Sequence, residues 1–404
     1  MNSETVTRTD SKPADGDDDA PPIDWKLAER VAVRTCGRSD YARTPDAVTM
    51  PAEFDSLTQT SQSLVEDFTG LYSPDGPARA EVIDRPRWIR ANIAGFRHIL
   101  EPIAETITHL GSHAPDSETG DREAAAAASG NGTRLPGMGI GSKVLAVEMG
   151  LLLGFLSQRV LGQYDLLLTE EAAAEEGSEA AAAGNGDGVV YYVGPNIEAL
   201  ERTYGFNPRD FRLWIALHEV THRTQFSAVP WLRPYFLSLV DDGLATFDLN
   251  PEKLIESLGE LVAKMRRGEK PLDRDGLMSL FASPEQRAAL DKMQGLMTLL
   301  EGHGNFVMDT VGKDHVVGQE EMSNILRKRR RQGGLSKIVM RLMGMDMKAR
   351  QYEEGQKWIG EVVDDAGLRG LDPAWETSDN LPSLDELRSD PAGWLSRVVA
   401  TSPV

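Results

Sequence analysis

His218, Glu219 and His222 form a His-Glu-x-x-His motif inside a largely apolar stretch of the chain. On an α-helix, two residues four positions apart lie one turn apart and roughly 40° from each other, so both imidazoles can bind one metal ion. Glu219 directly follows the first histidine and can lie beside a water molecule on that ion. Zinc lowers the pKa of such a water toward about 7, and a neighbouring carboxylate can take its proton. The motif therefore predicts the zinc site of a hydrolase, with Glu219 as the general base.

The residues around the motif predict a buried helix. Residues 213–221 carry no charge outside the motif, and Asn207-Pro208 is typical of a helix start. We therefore expect a helix at residues 209–227. Two buried imidazoles and a buried carboxylate are costly unless they have partners, and a metal ion supplies that partner. Arg223, directly after the second histidine, is a charged exception to this pattern.

A catalytic zinc ion usually has three protein ligands and one open position, so the motif needs one further ligand. Glu301 is favoured because it follows an apolar run and its charge would partly neutralise the buried ion. His303 is a rival, but on a regular helix it lies about 200° from Glu301, so only one of the two can face the motif helix. Asp241 and Asp242 are further rivals, because a return helix could bring them back to the motif. Spacing alone leaves these alternatives open.

Other polar residues offer supporting roles. Asn305 and Asp309 lie one and two turns beyond Glu301 and could orient the ligand histidines. The basic run at residues 327–331 could bind an anionic group, although such runs are more often a solvated helix face. The remaining histidines lack metal-ligand spacing and are expected to be structural; they are His98, His109, His113 and His315.

Helical periodicity prevails along the rest of the chain. Helices are expected at residues 24–37, 51–72, 85–110, 144–168, 196–204, 231–249, 251–267, 275–281, 284–311, 335–345 and 348–366. The best strand is Val189–Val193, which is β-branched and aromatic between two glycines, and which could bind an extended substrate along its edge. The predicted fold class is α+β and predominantly helical, with a small β element just before the motif helix.

The composition divides the chain into one main domain and polar additions. Residues 1–23 are acidic and expected to be disordered, residues 24–370 form the domain, and residues 371–404 form a loosely packed tail. Two acidic, alanine-rich inserts at residues 114–137 and 170–188 are expected to be flexible surface loops.

The charge balance limits the classes of partner. A net charge of -20 argues against general binding of nucleic acid or an anionic membrane, and it is compatible with a halophilic source. The single cysteine, Cys36, excludes an intramolecular disulfide and a cysteine-rich metal site. No signal peptide or membrane span is recognisable, so a cytoplasmic protein is expected.

Several motifs together resemble the zincin-like metallopeptidase family called Zincin_2. They are WIALHEVTH at 214–222, VPWL at 229–232, LEGH at 300–303, VMD at 307–309, RRRQGG at 329–334, and QY with Gly355 at 351–355. The resemblance covers residues 24–370 and implies a zincin-like α+β fold with His218, Glu219 and His222 at the active site. A Glu-Gly pair on a late helix belongs to the family pattern, which favours Glu301 as the third ligand. Members are described as candidate hydrolases, and one branch is labelled as associated with deazaflavin coenzyme biosynthesis.

These observations favour a zinc-dependent metallopeptidase that cleaves a peptide or amide bond by metal-activated water. In this hypothesis His218, His222 and Glu301 bind Zn²⁺, and Glu219 activates water and then protonates the leaving nitrogen. The alternatives are a catalytically inactive zincin-like scaffold and a protein that binds an anionic cofactor at residues 327–331.

Overall fold

A computed structural model describes residues 23–112, 138–164, 166, 188–245, 284–331 and 346–401. Within these ranges the protein is mostly helical with one small sheet, which confirms the predicted α+β, predominantly helical class. The two inserts, the helices expected at 251–267, 275–281 and 335–345, and the acidic N-terminal segment lie outside the described residues, apart from Ile23 and Gly188. Among the described helices, none is long and apolar enough to cross a membrane.

The elements follow one another along the chain in a fixed order. The helices are α1 Trp25–Thr35, α2 Asp46–Thr69, α3 Arg85–Ser112, α4 Met138–Leu156, α5 Gly194–Tyr204, α6 Pro208–Ala228, α7 Leu232–Ala245, α8 Pro284–His315, α9 Gln319–Arg331, α10 Asp346–Ala366, α11 Pro373–Glu376, α12 Leu384–Ser389 and α13 Pro391–Thr401. The strands are β1 Arg79–Ile83, β2 Gly162–Tyr164 and β3 Val189–Val193. Short 3-10 turns occur at Tyr41–Arg43, Leu368–Leu371 and Ser378–Asn380.

The sheet has the order β1-β3-β2, with β1 parallel and β2 antiparallel to β3. The predicted strand at residues 189–193 is therefore the central one, and its two neighbours pair with both of its edges. The idea that β3 offers an edge to an extended substrate is wrong for this reason.

Strand β2 also corrects the prediction of one helix from residue 144 to residue 168. Helix α4 ends at Leu156, because the side-chain amide of Asn196 binds the carbonyl oxygens of Ser157 and Val160, each at 2.7 Å, and turns the chain out of the helix. The backbone N–H of Val193 then donates to the carbonyl of Leu161 (2.8 Å) and starts the pairing with β3. A short apolar run fits a strand as well as a helix, so tertiary pairing decided between them.

Helix α6, which carries the motif, lies in the protein interior. Asn207 caps it by accepting a hydrogen bond from the backbone N–H of Asp210 (3.3 Å), and Pro208 occupies the first turn as predicted. Its apolar side chains belong to a core shared with α2, β3, α5 and α8. The helix is thus packed on several sides, which fixes the orientation of the motif.

The C-terminal segment packs into a second core, so the expectation of a loosely packed tail is wrong for residues 371–401. Trp394 and Val398 on α13 are 0% exposed. The Trp394 ring lies edge-on to Trp358 of α10 at 4.9 Å, and its indole N–H donates to the carbonyl of Asn380 (2.7 Å). Polar and proline residues in this segment form turns and caps between short helices, whereas the few large apolar side chains supply the burial.

We predict that Trp394→Ala lowers the free energy of unfolding by about 3–5 kcal/mol, because it removes a fully buried aromatic ring. Urea denaturation followed by circular dichroism measures this change. Val399→Ala on the same helix is the matched control, since Val399 is 69% exposed, and we expect a change within about 0.5 kcal/mol. Equal, small effects from both variants would contradict the packing of this segment.

Candidate metal centre

His218 and His222 project from one face of α6 toward the same point. Their rings lie edge-to-face with centroids 4.7 Å apart, and their Nε2 atoms are 3.2 Å apart. This follows from the helical spacing of the motif, and it presents two imidazole nitrogens side by side.

Helix α8 packs against α6 and brings a carboxylate to this pair. The Oε2 atom of Glu301 lies 3.7 Å from Nε2 of His218 and 3.6 Å from Nε2 of His222. These residues form the one group of three or more His, Cys, Asp or Glu side chains within the described ranges whose ligand atoms all lie close enough to hold a metal ion. The structure therefore assembles the two motif histidines with Glu301.

The spacing of these atoms suits a tetrahedral zinc ion. Metal–ligand bonds of about 2.0–2.2 Å place neighbouring ligand atoms roughly 3.4 Å apart, and the three observed separations are 3.2, 3.6 and 3.7 Å. Two nitrogens and one carboxylate oxygen are also a donor set that zinc prefers. The side chains are 19%, 14% and 19% exposed for His218, His222 and Glu301, whereas the Oε2 atom of Glu301 is itself buried.

The rival ligands lie elsewhere. Helix α8 runs through residue 303 without a break, so His303 points away from Glu301, as a regular helix requires. Its buried ring stands 5.0 Å from Trp375 of α11, and its Nδ1 atom binds the side chain of Gln225. Asp241 and Asp242 are exposed near the end of α7.

Gln225, which the sequence analysis did not single out, is the partner of His222. Its Oε1 atom lies 3.0 Å from Nδ1 of His222, the ring nitrogen that faces away from the metal position. Asn305 and Asp309, which were predicted to orient the ligand histidines, have other hydrogen-bond partners. Asn305 donates to the backbone carbonyl of Glu301 (2.9 Å), and Asp309 accepts hydrogen bonds from Gln319 and Gln356. The spacing of Gln225 on α6, three residues after His222, could have identified it.

The electrostatics of the site favour a cation. Burial lowers the pKa of His222, but the hydrogen bond and charge of Glu301, together with the charge of Glu219, outweigh it and raise the pKa to about 9. In contrast, burial and the charge of His222 lower the pKa of His303 to about 3, so His303 is neutral. Positive charge is thus stabilised between the motif histidines and Glu301, and disfavoured at His303.

Glu219 is buried against the sheet, and the charges of His222 and Glu301 act on its carboxyl group. Strand β2 packs against its side chain so closely that a Cβ atom on Gly162 would lie 2.5 Å from Cγ of Glu219. The pKa of Glu219 is raised to about 7, mainly by burial and also by the negative charge of Glu301. The charge of His222 and a hydrogen bond from the backbone N–H of Tyr164 lower the pKa and offset part of this rise. A carboxyl group with a pKa near neutrality can both take and return a proton.

Gly304 allows the two helices to approach at this point. A Cβ atom there would lie 3.2 Å from Cε1 of both His218 and His222, closer than neighbouring side chains normally come. The helix continues through Gly304 without a break, and the absence of a side chain there lets the backbone of α8 pass close to the imidazole rings.

Two buried arginines hold α6 in place. Arg212 donates two hydrogen bonds to Glu201 of α5, both 2.8 Å, and also binds Glu53 and Asp46 of α2. Arg223, the charged exception in the apolar motif, is 1% exposed and donates to the carbonyl of Gly76 (3.0 Å) in the loop before β1. Both arginines therefore anchor the helix to its neighbours.

We predict that Glu301→Ala weakens zinc binding by about 100- to 1,000-fold, one ligand's share of the roughly 10–16 kcal/mol that structural zinc sites provide. His303→Ala should cause a much smaller loss and Asp242→Ala none. Competition with a chromophoric chelator in one buffer measures all three affinities, with folding checked by circular dichroism. Normal affinity in Glu301→Ala, beside a large loss in either rival, would transfer the ligand role to that rival.

We also predict that Gly304→Ala lowers zinc affinity by about tenfold or more, the scale expected when the surroundings of a ligand histidine are disturbed. Gly360→Ala on α10 is the control, because nothing lies within 4 Å of a Cβ atom there. The control should keep its affinity and gain up to about 1 kcal/mol of stability. The close approach at Gly304 would be unimportant if the two variants bound zinc equally well.

The comparisons with known proteins agree with the site. The family model for zincin-like metallopeptidases, Zincin_2, matches residues 23–395. A solved structure from Chloroflexus aurantiacus, described as a candidate hydrolase with a novel fold, is similar with a TM-score of 0.63 and 31% sequence identity, over 94% of this chain and 100% of that chain. No curated protein matches the chain. The family predicted from the motifs is confirmed, and the chain belongs to the zincin-like metallopeptidases.

Proposed function

We propose that this protein is a zinc-dependent hydrolase that cleaves a peptide or amide bond. His218, His222 and Glu301 hold the ion, and Glu219 is the general base. The observation that carries the proposal is the triangle of two imidazole nitrogens and one carboxylate oxygen, with sides of 3.2, 3.6 and 3.7 Å. Membership of a metallopeptidase-like family and likeness to a candidate hydrolase support the reaction class.

The proposed mechanism divides two roles between neighbouring residues of α6. Zinc, when bound, lowers the pKa of water and polarises the scissile carbonyl group. The Glu219 carboxylate takes the proton of the attacking water and delivers it to the leaving nitrogen. Its raised pKa, about 7, suits both transfers, and the backbone N–H of Tyr164 holds its carboxylate.

The composition of the site supports catalysis over a purely structural role for the ion. Structural zinc sites are usually closed by four protein ligands, whereas catalytic sites keep one position open. Three ligands are available here among the described residues, and all three side chains are partly exposed. This count of three ligands fits a catalytic site that keeps one position open.

If the substrate is a peptide, β2 rather than β3 is the strand with which its backbone could pair. Strand β2 lies at the edge of the sheet, and two of its residues, Gly162 and Tyr164, contact Glu219. An extended chain lying beside β2 would bring its backbone next to the general base, and backbone pairing would hold it largely independently of its side chains. We therefore place the substrate along this edge.

The first test is the metal content of the protein. We predict about one zinc ion per chain in protein prepared without chelator, since three ligands and one open position define one site. Elemental analysis measures it. A folded protein that neither contains nor takes up a transition metal would refute the proposal, and bound zinc without hydrolysis of any peptide in a fluorogenic library would favour an inactive scaffold.

The second test separates the base from the ligands. Glu219→Gln should lower kcat about 100- to 10,000-fold, the usual contribution of a general base, while zinc is retained. His218→Ala and His222→Ala should lose zinc as well as activity. Glu320→Gln is the control, because Glu320 is exposed on α9. If Glu219→Gln lost zinc as completely as the histidine variants, Glu219 would be a ligand and the assigned roles would be wrong.

A further inference from the structure

The interior of the protein next to the metal centre contains an unusual polar side chain, Gln225. It is 0% exposed, yet its amide makes three hydrogen bonds. Its Oε1 atom lies 3.0 Å from Nδ1 of His222, and its Nε2 atom lies 3.2 Å from the carbonyl oxygen of Leu300 and 2.9 Å from Nδ1 of His303. A buried polar group with all its partners in place is energetically tolerable, and it fixes the geometry around it.

The chemistry of these partners determines which way the amide points. The Leu300 carbonyl can only accept a hydrogen bond, so the end of Gln225 that faces it must be the NH₂ group. The other end is then the carbonyl oxygen, which can only accept. Because that oxygen faces Nδ1 of His222, this ring nitrogen must carry the proton.

A proton on Nδ1 leaves Nε2 of His222 as the nitrogen with the free lone pair. Nε2 is the atom that lies near His218 and Glu301, at the metal position. The orientation of the Gln225 amide therefore selects the form of His222 that can bind a metal ion through Nε2, and it holds the ring at the required angle.

His303 is the third hydrogen-bond partner of the Gln225 amide. Its Nδ1 atom takes the second N–H of Gln225, and its ring is 2% exposed and packed beside Trp375. With both N–H groups of the amide bound, to Leu300 and to His303, a flipped amide would place its oxygen against the Leu300 carbonyl. The Leu300 carbonyl is the group that excludes the flipped state, because it cannot donate, and the hydrogen bond to His303 adds to the stability of the observed orientation.

We propose that Gln225 and His303 form a positioning relay, in which His303 fixes the amide of Gln225 and Gln225 fixes His222 as the tautomer that binds metal through Nε2. Both are positioning residues, since neither side chain belongs to the proposed ligand set. The relay rests on the proposed zinc site, but it assigns a role to the histidine that spacing alone made a rival ligand. It also makes the C-terminal segment a contributor to the site, because Trp375 packs against His303.

The test is a double-mutant cycle on zinc affinity, measured by chelator competition. Gln225→Met keeps the shape of the side chain without its hydrogen bonds and should lower affinity by about 10- to 100-fold. His303→Leu should lower it by several-fold. If His303 acts through Gln225, adding His303→Leu to Gln225→Met should cost less than about twofold more, whereas independent packing defects would add.

A conservative variant separates the hydrogen bond from packing. His303→Asn retains an acceptor oxygen near the position of Nδ1, and its side chain has the same number and branching of heavy atoms as that of the leucine variant. We expect His303→Asn to keep zinc affinity within about threefold of the wild type. Equal losses in the asparagine and leucine variants, or additive losses in the double variant, would overturn the relay.

Nuclear magnetic resonance of the histidine ring nitrogens provides a readout that does not require activity. In zinc-loaded protein, the Nδ1–H proton of His222 should exchange with solvent at least about tenfold faster in Gln225→Met and in His303→Leu, but not in His303→Asn. In metal-free protein at alkaline pH, neutral His222 should be the Nδ1–H tautomer in the wild type and a mixture in Gln225→Met. Failure to bind zinc with this tautomer intact would refute the proposed function alone, and a mixture in the wild type would refute the relay alone.

Discussion

The close approach of α8 to α6 is the constraint on which the candidate site depends. Gly304, three residues after Glu301, lets the backbone of α8 pass close to the rings of the motif histidines. On another side of α8, Gly302 meets Gly355 of α10 so closely that a Cβ atom would lie 2.5 Å from the Gly355 carbonyl carbon. The helix is therefore held closely between two neighbours: Gly302 leaves no room for a side chain, and a Cβ atom at Gly304 would require the imidazole rings to shift by a few tenths of an ångström.

The run from Glu301 to Gly304 distributes its residues among different neighbours. Glu301 and Gly304 face the motif histidines, Gly302 faces α10, and His303 faces Gln225. Successive helical residues point about 100° apart, so Glu301 and Gly304 lie about 60° from each other on one side of the helix, while Gly302 and His303 point to other neighbours. This explains why two glycines, which weaken an isolated helix, occur here without a break in α8.

The rest of the fold holds α6 and Glu219 in a fixed position relative to α8. Arg212 binds three carboxylates from α2 and α5, and such a buried cation is tolerable only with partners of this kind. The three-stranded sheet is small, and it places Gly162 against the catalytic candidate Glu219. The indole N–H of Trp88 donates to Gln163 of β2 (2.7 Å) and ties that strand to α3. The sheet thus acts as a support for one carboxylate.

The sequence by itself determined the features that depend on local spacing. The helical period placed His218 and His222 on one face, the Asn207-Pro208 pair marked the start of α6, and β-branched and aromatic residues marked β3. The motifs also determined the family. Only the tertiary structure decided among Glu301, His303 and the aspartates as neighbours of the motif, since distant segments meet through packing that spacing does not encode. It also decided that β2 is a strand, that the C-terminal segment is packed, and that Gln225 and Gly304 border the site. Each of these outcomes depends on which surfaces meet, and a chain pattern fixes the faces of an element but not the neighbour that each face contacts.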